Sequence, residues 1–450
     1  MLGRLGGRMF SRLRSTTAGL VIALAVAGTT LAQVELTFTF WGGTFERDAV
    51  NQTLETFNSL HPNIHVTGQH IPNAGYNEKI STMAAGGTLP DAGYMDSSMA
   101  LRWATDGLIK DLTTQFASDP MAADRLENMW YRWDNGTKTI GTAAAVESMI
   151  LYYNRDLFDA AGIDYPPEFA SEAWTWDEFV DIAKQLTVDR QGNNAASPDF
   201  DPDNIDVFGI AFPTWWAGWL PFVYSNGGQL ASDDGTELLI NRPEAVEALQ
   251  ALQDLIYVHH VAPTPAQSQS LPAADIMMQL GKVAMSVDGH WRTLAMSQLG
   301  FNWSFGVLPM HQRPATLIWG GVTVILEGTE HPDEAFELIN FLSDPTQSAL
   351  FTRGLWMPLQ RIYYTDEAKA AEWLDAIPGV YPPESRGVLL DYTLNHTPRQ
   401  PPVFWLKNLD QIWTDAVNPA MSLLWTGEAS AQEAMDQAVR DSEGLMQGRW

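Results

Sequence analysis

From Val34 onward the chain alternates short apolar runs with amphipathic stretches. Val34–Trp41 (VELTFTFW) reads as a strand rich in β-branched and aromatic residues, and Gly42-Gly43-Thr44 as the turn out of it. Val50, Leu54, Phe57 and Leu60 then recur at helical spacing until Pro62 stops the pattern. Ile64–Gly68 is a second strand, Tyr76–Ala85 a helix closed by Gly86-Gly87, and Pro90–Met95 a third strand running into Asp96-Ser97-Ser98; a further helix reaches Gly107. Strands alternating with helices predict an α/β fold with mainly parallel, helix-covered sheets. Ligands of such sheets bind beyond the carboxyl ends of the strands, which here are Trp41–Thr44 and Asp96–Ser98. Ordinary turn chemistry places Gly, Thr, Asp and Ser at the same positions, so both readings stand for these segments.

The pattern then changes. Ala143–Leu157 (AAAVESMILYYNRDL) is an apolar, strand-like run carrying one acid, Glu147. A carboxylate in such a run costs several kcal/mol, or roughly that order, unless it is paired or hydrogen-bonded. Either a lysine or backbone N–H caps Glu147, or it faces a ligand between two lobes.

A second α/β lobe follows. Thr175-Trp176-Asp177-Glu178 is a capping box opening a helix with Phe179, Ile182, Ala183 and Leu186 on one side, which makes Trp176 a packing residue. Residues 188–206 form a polar Asp/Asn/Pro-rich loop whose spacing is not that of a calcium-binding EF-hand. Phe208–Phe212 is a strand leading into Pro213-Thr214-Trp215-Trp216-Ala217-Gly218-Trp219. Three indoles in five positions of a Gly/Pro-bounded loop are hard to bury together, which suggests a flat ligand platform at Trp215 or Trp216. Pro243–Tyr257 is an amphipathic helix ending in His259-His260, which suit its C-terminal dipole rather than a metal. Lys282–Val287 is a strand running into Asp288-Gly289-His290-Trp291-Arg292, and Phe305–Leu308 is another. Leu317–Ile325 (LIWGGVTVI) holds Trp319 and a central Gly320-Gly321, the mark of a bend or a close backbone approach. Helix Asp333–Leu342 and a mostly helical remainder with Phe404-Trp405, Trp413 and Trp425 complete the chain.

Composition narrows the function. Residues 1–32 carry a basic start (Arg4, Arg8, Arg12, Arg14), a short apolar core at Ala18–Gly28 and the small-x-small triplet Thr30-Leu31-Ala32, and read as a cleaved signal peptide. The chain carries 26 basic and 54 acidic residues, a net charge of −28. Such a surface disfavours nucleic acid and anionic membranes as partners. With no cysteine there is no disulfide, no thiolate metal site, no cysteine nucleophile and no lipid-modified cysteine. The expectation is a periplasmic or secreted monomer with neither cofactor nor metal.

The ordered set of segments resembles the extracellular solute-binding proteins of ABC importers, in the sugar-binding group typified by maltose-binding protein. Its parts are VELTFTFW, FNSLHPNIHV, YNEKISTMAAGGTLPDAGYMDSS, GLIKDLT, VESMILYYNRDLFDAAG, TWDEF, GKVAMSVDGHW and HPDEAFELINFLSDPTQSALFTRGLWMPLQR. The resemblance implies two α/β lobes hinged around a solute, with chain crossings near Ala143–Leu151, Gly320–Val324 and Met357–Arg361. The N-lobe would be 34–145 plus 324–357 and the C-lobe 147–319 plus 360–450. It places Glu147 on a position that contacts sugar hydroxyls, Gly43 and Thr44 on a first ligand loop, Met95 to Ser98 on a second, and Trp291 and Trp405 on aromatic stacking positions. The first-loop lysine of that group is replaced by Gly-Thr, and its second-loop tryptophan and acid are not matched one for one, which counts against maltose itself.

These readings together predict a neutral sugar bridging Trp215, Trp216, Trp291 and Trp405 to Trp41, Asp96, Ser97 and Ser98. Glu147, Asp96 and Asp288 would accept its hydroxyl hydrogens, and membrane permease subunits would receive it. A phosphorylated polyol such as glycerol-3-phosphate is the alternative cargo. It would need a cation, for which Arg353 is the candidate, with Arg102 expected to face outward along its helix. A secreted glycoside hydrolase using Glu147 with Asp96 or Asp288 is the rival from another class.

Overall fold

The computed structural model describes residues 33–396 and 403–450. The expected signal peptide over 1–32 lies outside the described residues. In chain order the strands are β1 (Val34–Phe40), β2 (Ile64–His70), β3 (Ala92–Met95), β4 (Trp130–Trp133), β5 (Lys138–Thr142), β6 (Glu147–Asn154), β7 (Val188–Asp189), β8 (Ile205–Ala211), β9 (Val283–Gly289), β10 (Trp303–Gly306), β11 (Ile318–Trp319) and β12 (Val322–Ile325).

The first sheet has the order β12-β3-β1-β2. Strand β1 runs parallel to both β2 and β3, and β12 returns antiparallel on β3. Leu36, Phe38 and Phe40 are buried against the helix Thr44–Leu60, whose Val50, Leu54 and Phe57 face inward. Leu60, at the frayed end of that helix, is 60 % exposed, because the chain turns away at His61 before the stripe completes another turn.

The second sheet, β10-β6-β9-β8-β7 with β11 also on β6, is mixed: only β8 and β9 are parallel. The physical reason is the connectivity. Strand β6 enters this sheet from the other lobe, while β10 and β11 lie antiparallel to it on the way back. Apolar β-branched and aromatic runs predict strands but not their direction.

Between the sheets the chain crosses at two adjoining places. Ala143 bridges to Val322 and Val146 to Met357 just before β6 begins at Glu147. Gly320-Gly321 separates β11, which belongs to the second sheet, from β12, which belongs to the first. A Cβ at Gly320 would lie 2.1 Å from the Ala145 carbonyl oxygen, so the double glycine lets the two crossing segments touch backbone to backbone.

Two segments differ from their sequence reading. The tryptophan-rich stretch is not a loop: a helix runs from Trp216 to Ser225 with Pro221 inside it, and Trp219 is fully buried. An element apolar all round is a buried helix, and here its length was hidden by Gly218 and Pro221. In the polar loop after β7, the Asp189 carboxylate accepts from the backbone N–H groups of Gln191, Asn193 and Asp201, and against burial, which raises its pKa, these bonds together hold it down at about 2. Asp189 is an internal organiser of the loop.

Candidate ligand-binding cleft

A cavity of about 560 Å³ lies where the two crossings meet. Its aromatic walls come from both lobes. On the first-sheet side Trp41 leaves the end of β1 and packs edge-on against Tyr76 and Tyr94, with ring centroids 5.1 and 4.9 Å away. Its indole rests over Gly321, where a Cβ would come within 2.8 Å of the ring. On the other side Trp215, Trp216, Trp291 and Trp319 form one connected group, with centroids of neighbouring rings 4.9 to 6.3 Å apart. Trp319 is buried on β11 and Trp291 lies across Gly289, where a Cβ would meet its ring at 1.9 Å. Trp215 is 41 % exposed and stands at the mouth. Rings arranged edge to face leave flat faces toward the cavity, which suits the apolar face of a pyranose.

The polar lining is dominated by acids: Glu46, Glu78, Asp96, Glu147 and Asp288 against one cation, Arg292. Asp96 caps the helix Ser97–Thr105 and accepts from the Ser98 N–H and hydroxyl at 2.9 and 2.7 Å. Ser97 is engaged with the crossing: its hydroxyl donates to the Gly320 carbonyl at 2.9 Å, and the Tyr131 hydroxyl lies 2.8 Å from both. Arg292 donates to Asp288 at 2.9 Å and to Asp275 at 3.4 Å, and these two carboxylates, Asp288 above all, push its pKa up against the opposing effect of burial.

Glu147 opens β6, and Glu46 sits in the first turn of the helix after β1. The Glu46 side chain folds back over Gly42, a residue with φ of +133°, and fills the place where a side chain at 42 would stand. Neither carboxyl has a hydrogen-bond or ion partner among the described residues, so the lysine or backbone cap considered for Glu147 is not found there. Burial pushes the Glu46 pKa up to about 8 against the pull of Arg292, and burial followed by the Glu46 charge pushes Glu147 up to about 8. Acids raised in this way bind more protons in the folded than in the unfolded chain above about pH 4.5. Stability of the empty protein is therefore full below that pH and falls as the pH rises through about 8. Denaturant titrations between pH 5 and 9 should show this decline, and Glu46→Gln or Glu147→Gln should flatten it.

Of the residues singled out from sequence, Trp41, Asp96, Ser97, Ser98, Glu147, Trp215, Trp216, Asp288, Trp291, Trp319 and Gly321 line the cavity. Gly43, Thr44, Gly320, Arg353 and Trp405 do not. Gly43 and Thr44 start the helix at an exposed corner, where the inward-facing group is Glu46 one half-turn on. Gly320 gives the cleft only its backbone carbonyl, through Ser97 and Tyr131. Arg353 lies away from the cavity, and the cation that reaches it is Arg292. Trp405 turns away beneath the Arg449 guanidinium, 4.1 Å from its ring, and the adjacent Phe404 takes the wall, stacked on Tyr131 at 5.6 Å. Arg102 does not face outward: it pairs with Asp410 at 2.7 Å, joining the helix Ser97–Thr105 to the C-terminal helical region. The sequence reading also missed Tyr76, Asn73, Asn77, Pro213, Leu355 and Trp356 in the lining.

Residues 42–349 match the family model described as bacterial extracellular solute-binding protein. Among curated proteins, the sn-glycerol-3-phosphate-binding periplasmic protein UgpB of Brucella suis is 26% identical over 465 aligned positions, covering 96% of this chain and 98% of that protein. Among solved structures, the ABC substrate-binding protein Lmo0181 of Listeria monocytogenes in complex with cycloalternan is similar with a TM-score of 0.77 and 24% identity, over 93% of this chain and all of that one. The maltose-bound MalE3 of T. maritima is similar with a TM-score of 0.73 and 22% identity, over 92% of this chain and 100% of its own.

Proposed function

Because the chain belongs to the family of bacterial extracellular solute-binding proteins, we propose that its cargo is a carbohydrate, captured between the lobes and delivered to the permease of an ABC importer. The observation that carries this reading is the lining of the cavity, tryptophan faces from both sides with hydrogen-bond-accepting carboxylates between them. Rings cover the apolar faces of a sugar while Asp96, Glu147 and Asp288 accept from its hydroxyls. The lobes in this reading are 34–145 plus 324–357 and 147–319 plus 360–450, working outside the cytoplasm. Exchange of ligand occurs when they open, and only contacts made preferentially in the closed form shift that equilibrium. The Arg102–Asp410 pair joins the two lobes of this reading.

UgpB of Brucella suis is named for glycerol-3-phosphate, which makes the phosphate ester the second reading. A phosphate in a dry cleft wants a free guanidinium or ammonium. Here Arg292 is already engaged by Asp288 and Asp275, and the remaining charged lining is acidic. The lining supports a carbohydrate over an anion.

Thermal unfolding against a panel of mono-, di- and trisaccharides, with sn-glycerol-3-phosphate included, tests this. A ligand present at about 100 times its dissociation constant adds roughly 2.7 kcal/mol and raises the midpoint by a few degrees. A shift with a sugar, recovered intact on chromatography, is the expected result. A shift with the phosphate ester alone would overturn the carbohydrate reading, and a hydrolysed sugar would make the acids catalytic.

A further inference from the structure

We propose that the carbohydrate selected by this cleft carries a protonated amino group, held between Glu46 and Glu147 against the tryptophan walls. The proposal rests on the carbohydrate reading above and refines the neutral sugar expected from sequence. It starts from a charge imbalance inside the cavity. Five carboxylates line it, and its one cation is already bridged to Asp288 and Asp275. Asp96 has one oxygen engaged by the Ser98 N–H and hydroxyl, and Glu78 stands on the exposed rim. That leaves Glu46 and Glu147, which reach the same cavity from different elements, the helix after β1 and the start of β6.

Both carboxyls line the cavity, and neither finds a donor among the described residues. Buried polar groups in a folded protein are normally paired, so two unpartnered acids facing one cavity mark the place of an absent donor.

A sugar hydroxyl brings one proton and no charge, and would leave the second acid unpartnered. An ammonium brings three N–H donors and a positive charge, which matches two carboxylates. It would also restore the acids, held up by burial, to their ionised form. The faces of Trp41 and the Trp215–Trp291 group add cation–π attraction in a desolvated site. A calcium ion is a poorer match, since it takes six to eight oxygens, or roughly that number, and the described residues contain no cluster of metal-binding side chains.

The test is calorimetric titration of the purified protein near pH 7 with glucosamine, galactosamine and the glucosamine disaccharide. Each is compared with its hydroxyl parent and its N-acetyl form. The runs are repeated in two buffers of different ionisation heat. The amine should bind at least about tenfold more tightly than either comparison compound, equivalent to about 1.4 kcal/mol, and should release protons as Glu46 and Glu147 ionise. Glu46→Gln and Glu147→Gln, each checked for an intact unfolding midpoint, should abolish the preference, leaving the amine no tighter than its hydroxyl parent. Hydroxyl parents binding as tightly as amines would overturn the proposal and leave the carbohydrate reading standing. An amine preference that survives in both Gln variants would overturn the placement between these acids. Failure of every sugar, amine or not, would remove both readings together.

Discussion

Trp291→Ala is expected to weaken carbohydrate binding by about a hundredfold, close to 3 kcal/mol, which is the range of an aromatic anchor at the centre of a binding site. Trp291 owes its position to three features. Its ring lies across Gly289 with no side chain beneath it, it meets the buried Trp319 edge to face at 5.7 Å, and it faces Trp215 at 6.2 Å. Removing it takes a wall from the cavity without opening the core, because the residue is only partly buried. The unfolding midpoint of the empty protein should therefore change little while the affinity collapses. Titration of the variant and of the parent with the same sugar checks this. Equal affinities would show that the ligand does not rest on this ring.

The largest loss of stability is expected at Arg125, far from any ligand. Its guanidinium is buried, bonded to Thr142 at 2.6 Å and to Asn340 and Ser343 at 3.3 Å, and it faces the buried Asp119 at 3.3 Å. These bonds tie the segment after Ser118 to the end of the helix Pro332–Ser343, two parts of one lobe that are distant in sequence. Arg125→Met leaves the Asp119 charge buried and unpaired, which costs roughly 3–5 kcal/mol. Denaturant unfolding should show a lowered midpoint, and adding Asp119→Asn should recover much of the loss. A midpoint unchanged in Arg125→Met would mean that water or another group takes over the pairing.

The parts of the cleft legible in the sequence are those where a residue type conflicts with its local pattern. Glu147 stands out as an acid in an apolar strand, and the Trp215-Trp216 pair as bulk without an evident core. Asp96–Ser98 is visible because strand ends in α/β sheets are where ligands gather. Glu46 was hidden because an acid in the first turn of a surface helix already has a sufficient reason to be there, the helix dipole. Only Gly42, with its positive φ, shows why that side chain folds inward. Arg292 was hidden because its pairing with Asp288, four residues earlier, looks like an ordinary local ion pair. Its second partner Asp275 is distant in sequence, so its place in the cavity emerges only in the fold. The exchange of Trp405 for Phe404 has a similar origin. Val403 adopts φ of +61°, and in irregular backbone of that kind no period tells which of two adjacent rings faces the cavity. The direction of the second-sheet strands was equally out of reach, since it depends on where the crossings return the chain.

The central claim is that a sugar is held, and not cleaved, between these tryptophan walls. Calorimetric titration of the purified protein with the sugar panel, followed by chromatography of the recovered ligand, tests it most directly. The account predicts one-to-one saturation by a carbohydrate that is returned unaltered, and at least tenfold weaker binding, or about that, in Trp291→Ala. Saturation by sn-glycerol-3-phosphate with no response to any sugar would contradict it.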